Sequence, residues 1–214
     1  MAGMRAPCMP DIVVHKNALP VSVFRRLAHA VRLIGEERLA ESYATNFWYP
    51  LDARPGNLAE EAITQLLPLV RPGARCIGAE WWLGRLRYGE SLALHRDRDL
   101  SLEAQRGETV HPLWSSILYL NRYPSSPTVI LERATDHGDG TPAPAAGGGK
   151  AVYPAPNHYV IYRGDLQHGV LARRSARKPP GMRLTFLVNF WHRRPLPPVC
   201  RDYDGTVYAA LHSA

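Results

Sequence analysis

The chain has 214 residues, of which 45% are hydrophobic and 21% charged, and its formal net charge is +7 at pH 7. This length and composition are sufficient for one well-buried domain, which we expect to span residues 1–214, and they exclude wholesale disorder. No apolar run approaches the ~18 residues that a membrane-spanning helix needs, so we expect no membrane partner.

The N-terminal sequence and the cysteines predict a cytoplasmic protein. The first residues, MAGMRAPCMPD, place proline and charge where a signal peptide would have an apolar stretch. The three cysteines are widely separated and include no Cys-x-x-Cys pair, which argues against a disulfide scaffold or a zinc ribbon.

The positive charge raises nucleic acid as a partner. However, the tight basic clusters in the second half of the chain are short and lie at residues 173–178 and 193–194. We interpret them as a solvated turn and a strand end rather than as a phosphate-binding patch. A basic nucleic-acid-binding module therefore remains an alternative and is not our prediction.

Residues 1–75 are predicted to form a mainly helical support. A short strand over 11–14 precedes an amphipathic helix over roughly 21–41, whose apolar residues recur at helical spacing. Asn57 is a candidate N-cap for a second helix over 58–70, which ends near the Arg-Pro-Gly sequence at 71–73.

The pattern changes after residue 75 to short β-branched and aromatic runs separated by turn residues. Seven or eight strands are predicted over 76–194, in a mainly β fold with the helices packed outside a β-sandwich or small barrel. Residues 134–149 are rich in Gly, Ala and Pro and are predicted to form a flexible loop. The tail over 195–214 has no assigned structure.

His95 and Asp97 are the first candidate metal ligands. On a strand, residues i and i+2 point to the same side, so the imidazole and the carboxylate can meet at one point. A second imidazole from another strand would complete two nitrogens and one oxygen on one face of a metal. The open opposite face suits Fe(II), which must also bind a co-substrate and O₂.

His168 is the candidate for that second imidazole, because it follows the predicted strand YVIY and lies far enough along the chain to return to the same site. A second His-x-Asp sequence occurs at His137 and Asp139. It lies among Gly, Ala and Pro, where no strand would hold the side chains in a fixed relation, and it is the weaker candidate.

Arg183 and Thr185 begin the apolar strand LTFLVNFW and, as residues i and i+2, share one face. Together they can hold a carboxylate, since the guanidinium binds both oxygens and the hydroxyl adds one hydrogen bond. A buried arginine requires such a partner, because an unpaired buried charge destabilises a fold by several kcal/mol.

The motifs RYGESLALHRDRD, SSILYLN, YPAPNHYVIYRGDLQHGV and RLTFLVNFW, over about residues 85–192, together resemble one known family. The chain resembles the double-stranded β-helix (jelly-roll, cupin-like) dioxygenases that use Fe(II) and 2-oxoglutarate, particularly the prolyl-hydroxylase-like branch. The resemblance implies that His95, Asp97 and His168 bind iron. It also implies that Arg183, Thr185 and Tyr119 bind the distal carboxylate of 2-oxoglutarate.

The resemblance further implies the reaction: O₂ and 2-oxoglutarate are consumed, succinate and CO₂ are released, and an unactivated C–H bond is hydroxylated. Related halogenases replace the carboxylate ligand with a small residue, whereas this chain has Asp97. Related nucleic-acid demethylases carry a second arginine six residues after the first, where this chain has Asn189.

Hydroxylation of a small molecule or biosynthetic intermediate is therefore the predicted activity. Hydroxylation of a peptide or protein, of the prolyl type, is the alternative within the same chemistry. A non-catalytic β-barrel that binds a metal or a small acid is the alternative from another class.

Overall fold

The computed structural model describes residues 10–132, 148–172 and 179–212. Its helices are Val21–Ile34 (α1), Glu36–Glu41 (α2), Leu58–Val70 (α3) and Leu100–Arg106 (α4), with a 3₁₀ turn at Ala209–Leu211. Its strands are Ile12–His15 (β1), Asn46–Pro50 (β2), Gly78–Leu86 (β3), Leu92–His95 (β4), Trp114–Tyr119 (β5), Thr128–Leu131 (β6), Gly149–Val152 (β7), His158–Arg163 (β8), His168–Val170 (β9), Arg183–Trp191 (β10) and Cys200–Asp202 (β11).

The strands form two sheets. The larger has the order β1-β8-β5-β10-β3-β2-β11, and the smaller has the order β4-β9-β6-β7. Neighbouring strands run antiparallel except for β11 and β2, which pair in parallel. This two-sheet architecture with helices outside confirms the predicted fold class. No helix in the described ranges combines the length and the apolar character that crossing a membrane would require.

Strand β10 shows how the sequence separates the two faces of the larger sheet. Leu184, Phe186 and Val188 alternate along it and pack with residues of α1 and α3 on the outer face. The intervening residues, Arg183 and Thr185 among them, face the space between the sheets. A strand with such alternation stabilises the core on one side and supplies polar side chains on the other.

The N-terminal helices differ from the prediction in one respect. The helix predicted over 21–41 is two helices, since Gly35 has a φ of 81° and ends α1 before α2 begins. Helix α3 and its cap are as predicted: the Asn57 side chain accepts hydrogen bonds from the backbone N–H groups of Ala59 (2.9 Å) and Glu60 (3.1 Å).

The predicted boundaries at residues 76 and 194 do not separate structural layers. Strands β1 and β2, from the segment predicted to be a helical support, belong to the larger sheet. The tail also contributes β11, and Tyr208 and Leu211 are buried beneath α1. The predicted loop over 134–149 lies almost entirely outside the described residues.

Replacing Asn57 tests whether its side chain stabilises the N-terminus of α3. Asn57→Ala removes the acceptor of two hydrogen bonds, so we expect the free energy of unfolding to fall by about 1 kcal/mol (range roughly 0.5–2) in urea titrations. Asn57→Asp keeps an acceptor oxygen and favours the helix N-terminus, so it should retain nearly full stability. An equal loss in both variants would contradict the capping role.

Candidate metal and carboxylate site

Two imidazoles meet across the smaller sheet. His95 at the end of β4 and His168 at the start of β9 are direct cross-strand partners. Their ring centroids are 4.4 Å apart. Because side chains of directly opposed residues project from the same face of an antiparallel pair, this register places both rings together.

Asp97 completes the group, although not from the strand on which it was predicted. Strand β4 ends at His95, and its pairing with β9 shifts register between Leu92 and His95. Asp97 follows without strand structure, yet its Oδ1 lies 3.8 Å from Nε2 of His95 and 3.6 Å from Nε2 of His168. The expectation that a strand aligns His95 with Asp97 is therefore wrong, while the expected meeting of the three residues is observed.

Neighbouring groups fix Asp97 instead. The hydroxyl of Ser115, on β5, donates a 2.7 Å hydrogen bond to Asp97 Oδ2. Nδ1 of His111 donates to the Asp97 backbone carbonyl at 2.6 Å. These two contacts leave Oδ1 directed towards the histidines and replace the regular strand geometry that the sequence suggested.

Backbone carbonyls set the tautomer of both histidines. Nδ1 of His95 lies 2.9 Å from the Ala93 carbonyl, and Nδ1 of His168 lies 3.2 Å from the Leu166 carbonyl. A carbonyl only accepts, so each Nδ1 carries the hydrogen and each Nε2 keeps its lone pair. Metal-binding histidines are commonly oriented in this way.

The three side chains could together hold a metal ion, because one ligand atom from each lies within 4.8 Å of the others. Burial lowers the pKa of His168, against the opposing effect of the Asp97 carboxylate, so its imidazole is neutral and able to ligate at pH 7. Two imidazoles and one carboxylate on one side are the donor set of non-haem Fe(II) sites. The alternative pair, His137 and Asp139, lies outside the described residues.

A second part of the site lies on β10. Arg183 is only 4% exposed and Thr185 only 1%. Nη2 of Arg183 donates to Oγ1 of Thr128 at 2.8 Å, but within the described residues its Nε and the Thr185 hydroxyl have no hydrogen-bond partner. Burial lowers the pKa of Arg183. A buried guanidinium and hydroxyl with unused donors fit a carboxylate ligand.

Tyr119 lies beside this arginine, and its predicted role in binding the distal carboxylate stays a prediction. Its hydroxyl donates to Thr128 Oγ1 at 2.7 Å, and the Arg183 guanidinium carbon is 5.3 Å from the centroid of its ring. Burial raises the pKa of the phenol. Thr128, which sequence analysis missed, lines the cavity between Arg183 and the metal ligands, whereas Tyr119 is not among the residues lining it.

Two cavities meet at two of the three candidate ligands. The enclosed cavity leads from His95, Asp97 and His168 to Arg183 and Thr185. The open cleft has a volume of about 380 Å³, shares His95 and Asp97, and extends towards Glu80 and Asn189. A metal held by the three ligands would therefore be accessible from both sides.

Glu80 is a second residue that sequence analysis missed. It lies on β3 opposite Asn189 of β10, which in turn lies opposite Ser115 of β5. Asn46 Nδ2 donates to its carboxylate at 2.8 Å and Trp191 Nε1 at 3.0 Å. Burial raises the pKa of Glu80 to about 7, with further contributions from the nearby acidic residues.

By sequence, the chain matches no family model and no curated protein. By structure, it is similar to a Pseudomonas putida prolyl-4-hydroxylase, with 20% identity, 86% of this chain and 90% of that chain covered, and a TM-score of 0.56. It is also similar to EctD from S. alaskensis with 2-oxoglutarate and 5-hydroxyectoine (14% identity, 94% and 82% covered, TM-score 0.57).

A third solved structure is HygX from Streptomyces hygroscopicus with iron bound, at 14% identity, with 85% and 82% of the chains covered and a TM-score of 0.50. The chain has the fold of the Fe(II)- and 2-oxoglutarate-dependent oxygenases. In this fold, the enclosed cavity and the three candidate ligands lie between the two sheets.

The contact between Ser115 and Asp97 generates a prediction. Ser115→Ala should weaken Co(II) binding about 10–100-fold in calorimetric titrations, because Asp97 loses the hydrogen bond that orients it. Ser116→Ala is the matched control, since the Ser116 hydroxyl bonds to Val188 and Tyr159 instead. Equal metal affinities in the Ser115 variant and the wild type would contradict this role.

The buried Glu80 predicts a pH-dependent stability in the metal-free protein. The Glu80 carboxyl has a pKa of about 4.5 in the unfolded state and about 7 in the folded state. At a pH between these two values, the folded protein keeps a proton that the unfolded protein has lost. The stability contributed by this group is therefore present below pH 4.5 and falls as the pH rises towards 7, by up to ~3 kcal/mol.

Urea titrations at pH 5 and pH 8 check this prediction. From pH 5 to pH 8, we expect the wild type to lose about 1–3 kcal/mol more unfolding free energy than Glu80→Gln, because the variant cannot ionise at this position. Comparing the two proteins cancels the other titrating groups. An identical pH dependence in both would show that Glu80 titrates near its ordinary value.

Proposed function

We propose that this protein is an Fe(II)- and 2-oxoglutarate-dependent oxygenase that hydroxylates a C–H bond of a small molecule or biosynthetic intermediate. The observation that carries this proposal is Arg183, a buried guanidinium with an unused donor in the same cavity as the three candidate metal ligands. A structural arginine would be paired with an acid, whereas an arginine that binds a substrate carboxylate is left open for it.

His95, Asp97 and His168 hold the ferrous ion in this proposal. Their carbonyl and serine contacts present two neutral nitrogens and one carboxylate oxygen towards a common point. All three donors come from one side, which leaves coordination positions for 2-oxoglutarate and O₂. Bound Fe(II) supplies the activation of O₂ by oxidative decarboxylation of 2-oxoglutarate.

Arg183 and Thr185 bind the distal carboxylate of 2-oxoglutarate. The guanidinium provides charge and a planar pair of donors, and the Thr185 hydroxyl adds a third donor from the same strand face. Thr128 holds Arg183 in position, and Tyr119 acts through Thr128 as a positioning residue.

The overall reaction balances with one O₂ for each substrate: 2-oxoglutarate, O₂ and R–H give succinate, CO₂ and R–OH. One oxygen atom enters succinate and the other enters the product. The similarity to EctD, whose structure contains a small hydroxylated molecule, supports a small-molecule substrate. The cleft of about 380 Å³ is in the range of small-molecule sites.

A peptide or protein substrate is the second candidate, favoured by the similarity to the prolyl-4-hydroxylase. Trapping the hydroxylated product by mass spectrometry, from pooled metabolites and pooled peptides, separates the two candidates. A cytoplasmic location remains a prediction.

The proposal is tested on protein loaded with Fe(II) without oxygen. Adding 2-oxoglutarate should produce a visible absorption band, and adding O₂ should then produce succinate. Asp97→Ala should abolish both, because one of three metal ligands is lost. Arg183→Met should retain Fe(II) but weaken 2-oxoglutarate binding about 100-fold, as expected for removal of a charge-assisted pair.

Arg163→Met is the control for Arg183→Met, since Arg163 is at the sheet surface and pairs with Asp165. It should leave the band unchanged. A wild-type protein that binds Fe(II) but gives no band with 2-oxoglutarate would be a non-catalytic metal-binding barrel. Full succinate production by Asp97→Ala would contradict the assigned metal site.

A further inference from the structure

The open cleft contains a carboxylate that the proposed chemistry does not use. Glu80 is at its floor and is 5% exposed. The cleft also reaches His95 and Asp97, so a molecule bound in it would lie beside the proposed metal. Apolar side chains also line it, among them Trp82, Leu92, Leu100 and Leu196, and so do the charged residues Arg96, Arg98 and Asp99.

The partners of Glu80 are neutral. Asn46 and Trp191 each donate one hydrogen bond, one to each carboxylate oxygen. Across the described ranges, no arginine, lysine or histidine forms an ion pair with it. Since a carboxylate can accept about four hydrogen bonds, Glu80 retains unused acceptor positions.

The arginines on and near the cleft have partners other than Glu80. Arg96 donates through Nε to the backbone carbonyl of Asp165 at 3.0 Å. Arg98 pairs with Glu103 at 2.6 Å, and Arg193 pairs with Asp99 at 2.7 Å. Asp99 also caps α4, so its charge has a cationic partner and a structural use. Glu80 accepts hydrogen bonds from Asn46 and Trp191 but has no cationic partner in the described ranges, although it is only 5% exposed.

We infer that the primary substrate carries a protonated amine or guanidinium group that pairs with Glu80, with Asn189 beside it. This inference rests on the proposed function for the reaction at the metal, and it adds the chemical class of the substrate. When Glu80 is ionised, a cationic group supplies the countercharge and the further donors, whereas a neutral or anionic group leaves a buried carboxylate without a cationic partner.

The sheet register sets the distance between the cationic group of such a substrate and its reacting carbon. Glu80, Asn189 and Ser115 lie in one row across three adjacent strands, and Ser115 contacts Asp97. Two strand spacings separate Glu80 from Ser115, so their Cα atoms are roughly 10 Å apart. The reacting carbon should therefore be several bonds away from the cationic group.

Binding of matched probes tests the inference without turnover. Protein loaded with Zn(II) and saturating 2-oxoglutarate is titrated at pH 8 with hexylamine, hexylguanidine, hexanol and hexanoate, and binding is followed by ligand-observed NMR. We expect the two cations to bind at least tenfold more tightly than hexanol, and hexanoate to bind most weakly. Equal binding of hexanol and the cations would overturn the inference.

Two variants connect the preference to Glu80. Glu80→Gln removes the charge, and Asn189→Lys places an ammonium opposite Glu80, within the reach of a cross-strand pair. Each should reduce the cation preference to less than threefold, and the second does so without deleting the carboxylate. An undiminished preference in the folded variants would overturn the inference.

Glu60→Gln is the matched control, because Glu60 is also buried but lies on α3, outside the larger sheet. It should keep the full cation preference. The absorption band of the Fe(II) and 2-oxoglutarate complex is measured on the same wild-type preparation. A band without cation preference defeats only this inference, whereas a missing band defeats the proposed function whatever the probes show.

Discussion

The buried charge of Arg183 is the interaction on which the site depends. An ionised group between two sheets destabilises the fold by several kcal/mol unless it is paired. Thr128 and the ring of Tyr119 supply part of the compensation, but the Nε of Arg183 and the hydroxyl of Thr185 remain unused. In the proposed function, these unused donors are the groups that bind the distal carboxylate of 2-oxoglutarate.

Strand β10, which carries Arg183, also provides stability that offsets the cost of burying its charge. The outer face of β10 buries Leu184, Phe186 and Val188 with the helices, while β3 and β5 pair with it on both sides. A central strand held by two neighbours and a helical layer can keep polar residues on its inner face in fixed positions. Stability and function are thus divided between alternate residues of one segment.

This alternation explains what could be predicted from the sequence. The run LTFLVNFW indicated a strand, and the spacing of Arg183 and Thr185 placed them on one face without knowledge of the neighbours. The convergence of His95, Asp97 and His168 was predicted from their chemistry and order. The three residues converge because the two histidines are cross-strand partners and Ser115 holds the aspartate that follows. This arrangement depends on the strand register, which one sequence does not reveal.

The elements that were missed are short or depend on distant partners. Strand β11 has three residues and forms by parallel pairing with β2, itself only five residues long, so neither shows enough alternation to detect. Gly35 interrupts a helical periodicity that continues on both sides of it. Glu80 was missed because the rest of β3 is mainly apolar, and only the pairing with Asn189 shows that it faces the cleft.

The two cavities differ in the buried ionisable residue that lines each, and this difference bears on how two ligands could share one metal. In the proposed function and the inferred substrate class, Arg183 attracts an anion in the enclosed cavity and Glu80 attracts a cation in the open cleft. A diacid that entered the cleft would meet a carboxylate already short of donors, and an amine that entered the enclosed cavity would meet a guanidinium. Each cavity would then repel the wrong ligand as well as attract the right one. The difference in affinity between the two ligands is larger than shape alone would give. The net positive charge of the whole chain does not determine this local difference, since Glu80 and Arg183 are individual buried residues on adjacent strands.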